Sequence, residues 1–233
     1  MTCQVLTLLL TGHLRHAILL AMELIWLGSF CFRIRSREAT ILTDPTPKSS
    51  GYATGKVTAD IVTVSSDHPG STNLSAVSGS PLVIWGPGEY ESAQVLITGV
   101  ATERGRDGEK GPTNTSYVIE TENLRVCHLG RIQHVPTSDE VEEMSNIDLL
   151  LVPVGGGCAL DAAQAEETIT LLEPKLIVPM HYATSASTEK LDPLERFLRE
   201  RGSAAALEPQ PRLSVNHSSL PHEPEVFVLD YKR

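Results

Sequence analysis

From Met22 to Cys127 the chain is a succession of short β-forming runs, none longer than seven residues, each cut off by a turn signal. Runs of that length are ordinary for strands and too short for helices that stand alone, so this half must form sheet. Glu23–Trp26, Cys31–Arg35 and Thr40–Thr43 read as a three-strand opening with Gly28-Ser29 as a turn, and Thr43-Asp44-Pro45 ends it. Pro45 through Gly55 is a loop rich in Pro, Ser and Gly. Ile61–Val64 is β-branched throughout, which predicts a central strand buried on both faces. Leu82–Trp85, Gln94–Val100, Ser116–Glu120 and Leu124–Cys127 continue the series.

The second half alternates strands with helices. Ser138 is placed to cap a short helix through Met144, with Glu140, Glu142 and Glu143 near its positive end. Asp148–Val152 and Leu176–Pro179 read as buried strands. Between them Asp161 and Gln164 have capping-box spacing for a helix to Glu173, which Pro174 stops. Asp192-Pro193 opens a helix to Arg201, residues 203–224 read as a polar loop, and Val226–Leu229 as a closing strand. Strands first, then strands alternating with helices, imply an α+β or α/β fold: two layers of sheet covered by helices in a single domain over 22–233.

Residues 1–21 follow a different pattern. Their apolar runs are split by His13, Arg15 and His16, so neither a bilayer span nor the charge order of a signal peptide is present. They are read as an extension upstream of the native start at Met22, the alternative being a cleaved or anchoring segment. The formal net charge of −10 argues against nucleic acid as a partner. No membrane partner is expected either, and an oligomer stays open. Cys3, Cys31, Cys127 and Cys158 form no CxxC pair, which argues against a thiolate zinc site. Cys31 and Cys127 lie in apolar runs and fit buried thiols in a reducing, cytoplasmic setting.

Polar residues gather at three strand exits, where ligand sites of sheet folds form. These are Ser65-Ser66-Asp67-His68-Pro69-Gly70-Ser71, His128-Leu129-Gly130-Arg131-Ile132-Gln133-His134, and Met180-His181-Tyr182. Asp67-His68 as an acid–base couple is weakened because adjacent residues at a strand exit point apart. Ser65, Ser66 or Ser71 with His68 lacks the Gly-x-Ser-x-Gly elbow of a serine hydrolase. Gly155-Gly156-Gly157 reads as a flexible connector rather than a phosphate cradle, since Asp161 would repel an anion. The loop from Glu103 through Lys110 reads as a solvated hairpin tip.

Several segments in order resemble one family. Trp26 to Ile34 and Ile41-Leu42-Thr43-Asp44-Pro45 look like the opening of the metallo-β-lactamase superfamily, in the zinc-dependent hydrolase branch that includes the ascorbate-6-phosphate lactonases. Ala59 to Ser71 stands in the place of that family's histidine-rich motif. Gly86-Pro87-Gly88-Glu89-Tyr90, Cys127-His128-Leu129-Gly130, Leu151 to Gly157 and Val178-Pro179-Met180-His181-Tyr182 follow in family order. The resemblance covers Met22 to about Tyr182 and implies a four-layer αββα sandwich.

The family's hydrolytic chemistry uses two zinc ions that activate a bridging water and polarise the scissile group. Set on its first motif, His-x-His-x-Asp-His, this chain has Ser66, His68, Gly70 and Ser71. The bridging aspartate falls on Arg131, a further histidine near Arg104, and the last ligand on His181. His68 and His181 are thus retained, and an arginine cannot ligate a cation. The resemblance therefore implies no metal or a single weakly bound ion, held by His68 and His181 with His128, Asp67 or, less directly, His134. Two functions stay open: a lactonase- or phosphodiesterase-like hydrolase with a reduced metal site, or a non-catalytic relative binding a small anion or a partner protein. In the second, Arg104 and Arg131 would hold a phosphate or carboxylate.

Overall fold

The computed structural model describes residues 21–52, 55–66, 72–103, 114–202 and 207–232. The expected N-terminal extension and the tip of the Glu103–Lys110 loop fall outside these residues. In chain order the first strands are β1 (Met22–Gly28), β2 (Cys31–Arg35), β3 (Thr40–Thr43), β4 (Val57–Thr58), β5 (Ile61–Val64), β6 (Val77–Ser78) and β7 (Leu82–Trp85). They are followed by β8 (Gly88–Ser92), β9 (Val95–Glu103), β10 (Asn114–Thr121) and β11 (Leu124–His128). The remaining elements are α1 (Ser138–Glu143), β12 (Leu149–Pro153), α2 (Ala162–Leu172), β13 (Leu176–Met180), α3 (Leu194–Glu200), β14 (Leu213–Val215) and β15 (Glu225–Val226).

The strands build two sheets of related design. The first has the order β14-β1-β2-β3-β5-β7, the second β15-β13-β12-β11-β10-β9-β8. Each begins as an antiparallel meander and continues with parallel strands: β3, β5 and β7 in one, β11, β12, β13 and β15 in the other. Parallel neighbours need crossovers, and in the second sheet α1 and α2 provide them. Every residue of β5, β12 and β13 is buried, as their continuous apolar runs require.

The sheets face each other across one core. Leu24, Phe32, Ile34 and Ile61 of the first pack in the same cluster as Ile97, Tyr117, Ile119 and Val126 of the second. Tyr117 bolts the layers together: its hydroxyl donates to the Val64 carbonyl at 2.8 Å and accepts the Gly86 N–H at 3.1 Å. On the other face of the first sheet, Leu42, Val62 and Val64 form a smaller cluster against Val57 and Val77 of the β4–β6 ribbon. Among the described residues all three α-helices belong to the second half.

Three local expectations are corrected. Thr137, not Ser138, caps α1, because its extended backbone lets its hydroxyl accept the Glu140 N–H while Glu140 returns a bond to the Thr137 N–H. The segment 203–224 is not all loop: Leu213, Ser214 and Val215 pair with Leu24, Glu23 and Met22. Their strand state comes from β1 and leaves no periodic signal in three residues. Gly155 is a packing position rather than a flexible link, as shown below. Among the described residues no helix is long and apolar enough to cross a membrane.

Candidate functional site

The carboxyl ends of β3, β5, β11, β12 and β13 open onto one edge of the sandwich, together with the β1–β2 turn. Three non-glycine residues there adopt left-handed backbone: Ser29 (φ 50°), Asp44 (φ 35°) and His181 (φ 50°). Such conformations cost about 1–3 kcal/mol each and persist where surrounding structure over-determines them. Ser29 is held by the Trp26 indole, which donates to its carbonyl at 2.9 Å. Asp44 is held by hydrogen bonds from Ser65. The His181 carbonyl packs on Gly155, where a Cβ would collide with it and reach 2.8 Å from the Tyr182 Cα.

Behind the edge lies a polar frame. Asn114 donates to Thr102 and to the Leu129 carbonyl and accepts the Arg131 N–H at 2.7 Å. Gly130 (φ +62°) leaves room for this frame, since a Cβ there would lie 2.7 Å from Asn114 Oδ1. His128 is fully buried; its Nε2–H donates to the Phe30 carbonyl at 2.9 Å, and its Nδ1 stands 4.0 Å from Asp44. Burial holds its pKa below the usual 6.5, against the opposing pull of Asp44, so it is neutral and bears its proton on Nε2.

At the edge itself the buried His181 is flanked by the half-buried Arg131 and Cys158 and the exposed Glu189. Arg131 Nη1 lies 2.8 Å from Cys158 Sγ, and its guanidinium sits 4.6 Å over the Phe30 ring. The His181 ring stacks on the Phe30 ring at 4.1 Å between centroids. His181 Nδ1 meets the Ser29 hydroxyl at 3.3 Å, and its Nε2 lies 3.6 Å from Cys158 Sγ and 3.8 Å from Glu189 Oε2. Burial first, then the Arg131 charge, depress the His181 pKa to about 3. Burial raises the Cys158 thiol, with Arg131 pulling it back down. Cys158, His181 and Glu189 each offer one donor atom, all within 4.8 Å of one another.

Comparison with known proteins agrees with this architecture. Residues 23–181 match the model of the Beta-lactamase superfamily domain. This chain belongs to the β-lactamase superfamily. A UPF0173 protein of Pyrococcus furiosus is 32% identical over 198 residues, covering 77% of this chain and 90% of that one. A UPF0173 metal-dependent hydrolase of Methanopyrus kandleri is 26% identical, covering 77% and 91%. Among solved structures, a Thermotoga maritima protein named as a candidate Zn-dependent hydrolase of the metallo-β-lactamase superfamily is similar with a TM-score of 0.75 and 36% identity, over 91% of this chain and all of that one. The family is that of the UPF0173 metal-dependent hydrolases, and the α+β sandwich is its fold.

Of the superfamily positions named from the sequence, Asp67, His68, Gly70, Ser71 and Arg104 lie outside the described residues. Ser66 is buried and bridges to Asn114 between the sheets. Arg131 and His181 come together around Phe30. His128 turns its Nε2 to a backbone carbonyl, so it serves the frame. His134 pairs with Glu140 at 3.2 Å in the α1 cap, because the Thr137 N–H draws that same carboxylate across the helix start. Sequence reasoning missed Cys158 and Glu189 as neighbours of His181. Nothing in the chain spacing signals them, since they reach it from the loops after β12 and β13.

Proposed function

We propose that this chain is a hydrolase-family protein that has lost the two-zinc centre of its superfamily, and that it carries out no two-metal hydrolysis. The observation that supports this is the Arg131 guanidinium engaged with Cys158 and Phe30 beside His181, at the residue that the sequence resemblance matches to the bridging carboxylate. A fixed cation there does not fit a second divalent ion, and it offers no lone pair to replace the missing ligand. The described residues therefore do not suit the family's metal pair.

A small anion is the ligand class that suits such an edge, since arginine matches carboxylate and phosphate oxygens in pairs. Zinc analysis of the full chain, stripped of metal, reloaded with excess zinc and desalted, tests the main reading. Fewer than two equivalents per chain are expected, with lactone and phosphodiester turnover no faster than buffer containing zinc alone. Two tightly held equivalents would overturn it.

A further inference from the structure

The thiol, imidazole and carboxylate around His181 form a set that the family motif does not contain. Zinc bonds of about 2.3 Å to sulfur and about 2.0–2.1 Å to nitrogen, opened to a tetrahedral angle, separate those two atoms by about 3.6 Å. The Cys158 Sγ to His181 Nε2 distance is 3.6 Å. The same reasoning asks about 3.4 Å between nitrogen and a carboxylate oxygen, and His181 Nε2 to Glu189 Oε2 is 3.8 Å. Glu189 has a side chain 42% exposed, so it can close the remaining few tenths of an ångström without disturbing the core.

We infer that Cys158, His181 and Glu189 form a mononuclear zinc site of sulfur, nitrogen and oxygen ligands, with a fourth position for water or an anion. This rests on the reading above that the edge no longer holds a metal pair. The surroundings suit one ion. The Ser29 hydroxyl can accept from His181 Nδ1–H, which directs the Nε2 lone pair at the metal. Trp26 fixes Ser29 through its carbonyl, and the Phe30 ring fixes the plane of the imidazole. Arg131 can donate to a thiolate that also binds metal, and its charge is offset by the thiolate and the carboxylate together. With zinc bound, the cluster carries a single net positive charge, which favours an anionic fourth ligand. A second zinc would raise that charge further with no added donor among these residues.

The test uses the full chain with zinc and with cobalt(II) as a spectroscopic stand-in. Zinc should bind at one equivalent, and cobalt should give a sulfur-to-metal charge-transfer band. Cys158→Ser should abolish that band and weaken zinc binding by on the order of tenfold or more, and Glu189→Gln should weaken it comparably without changing the melting temperature of the metal-free protein. Two equivalents would overturn the preceding reading of the edge. No zinc at all would overturn this inference and leave that reading standing. One equivalent with no thiolate band, or one that survives Cys158→Ser and disappears in His68→Ala, would also overturn it.

Discussion

Asp44 takes two hydrogen bonds from one residue: its Oδ1 accepts the Ser65 backbone N–H at 2.7 Å and its Oδ2 the Ser65 hydroxyl at 2.5 Å. This double contact joins the end of β3 to the end of β5 and satisfies a carboxylate that is almost wholly buried. Ser65→Ala removes the hydroxyl and takes from Oδ2 its hydrogen bond, with His128 Nδ1 standing 4.0 Å away. The expected loss is about 1.5–3 kcal/mol of unfolding free energy, the range for a hydrogen bond to a charged group, measured by urea denaturation. A variant as stable as the parent would mean that solvent reaches Asp44.

Gly155→Ala places a methyl group against the His181 carbonyl and 2.8 Å from the Tyr182 Cα. Both contacts are backbone, so neither can yield cheaply. The β13 exit should shift and carry His181 away from Cys158. The expected cost is about 2–4 kcal/mol, read by denaturant unfolding, with weaker zinc uptake in parallel. Retention of parent-like stability and zinc affinity would refute the packing role.

Acid should weaken the fold through His128. Its folded pKa is below 6.5 because burial disfavours the charged ring, while in the unfolded chain it returns to about 6.5. The unfolded state therefore binds the proton first as pH falls. Stability present above pH ~6.5 is lost below it, at up to about 1.4 kcal/mol per pH unit, until the folded pKa is reached. Unfolding curves of the metal-free protein and of His128→Gln between pH 7 and 5 should differ in slope by that amount, the variant being flatter. Parallel slopes would mean that His128 titrates alike in both states.

On the proposed reading, replacing the Arg131 cation with a carboxylate should add metal capacity. Arg131→Asp together with Ser66→His, Gly70→Asp and Ser71→His installs ligands at the four positions that the sequence resemblance assigns to them. That variant should hold at least one zinc more than the parent, as measured by metal analysis after desalting. An unchanged ratio in a variant whose circular dichroism matches the parent would show that these positions are wrongly registered on the motif.

The framework was readable where local chemistry and tertiary context agree. Ile61–Val64 and Cys31–Arg35 have the bounds that their apolar and β-branched runs predict, and Asp161 with Gln164 caps α2 as spaced. Elsewhere the context decides. Ala93-Gln94 and Glu122-Asn123 make hairpin turns with positive φ at both residues, although neither pair carries the glycine that usually marks such turns. Asp44 in Thr43-Asp44-Pro45 reads as a strand terminator, yet it is a buried acceptor because β5 brings Ser65 beside it. Cys158 is 23 residues from His181, and only the parallel pairing of β12 with β13 brings their loops together.

The pairing of β14 with β1 bears on how the chain comes off the ribosome. Met22–Leu24 find their outer neighbour only in Leu213–Val215, and the Trp26 carbonyl accepts from the Lys232 N–H. Tyr231 then stands edge-on to the Trp26 ring. Strand β1 thus waits for partners made much later in the chain, with one backbone edge and an indole face uncovered meanwhile. Contacts so distant in sequence form slowly, and an open strand edge invites pairing with other nascent chains. Vectorial synthesis should therefore leave the nascent first sheet dependent on chaperones until Leu213–Val215 arrive, and truncation before Leu213 should turn a folding delay into aggregation.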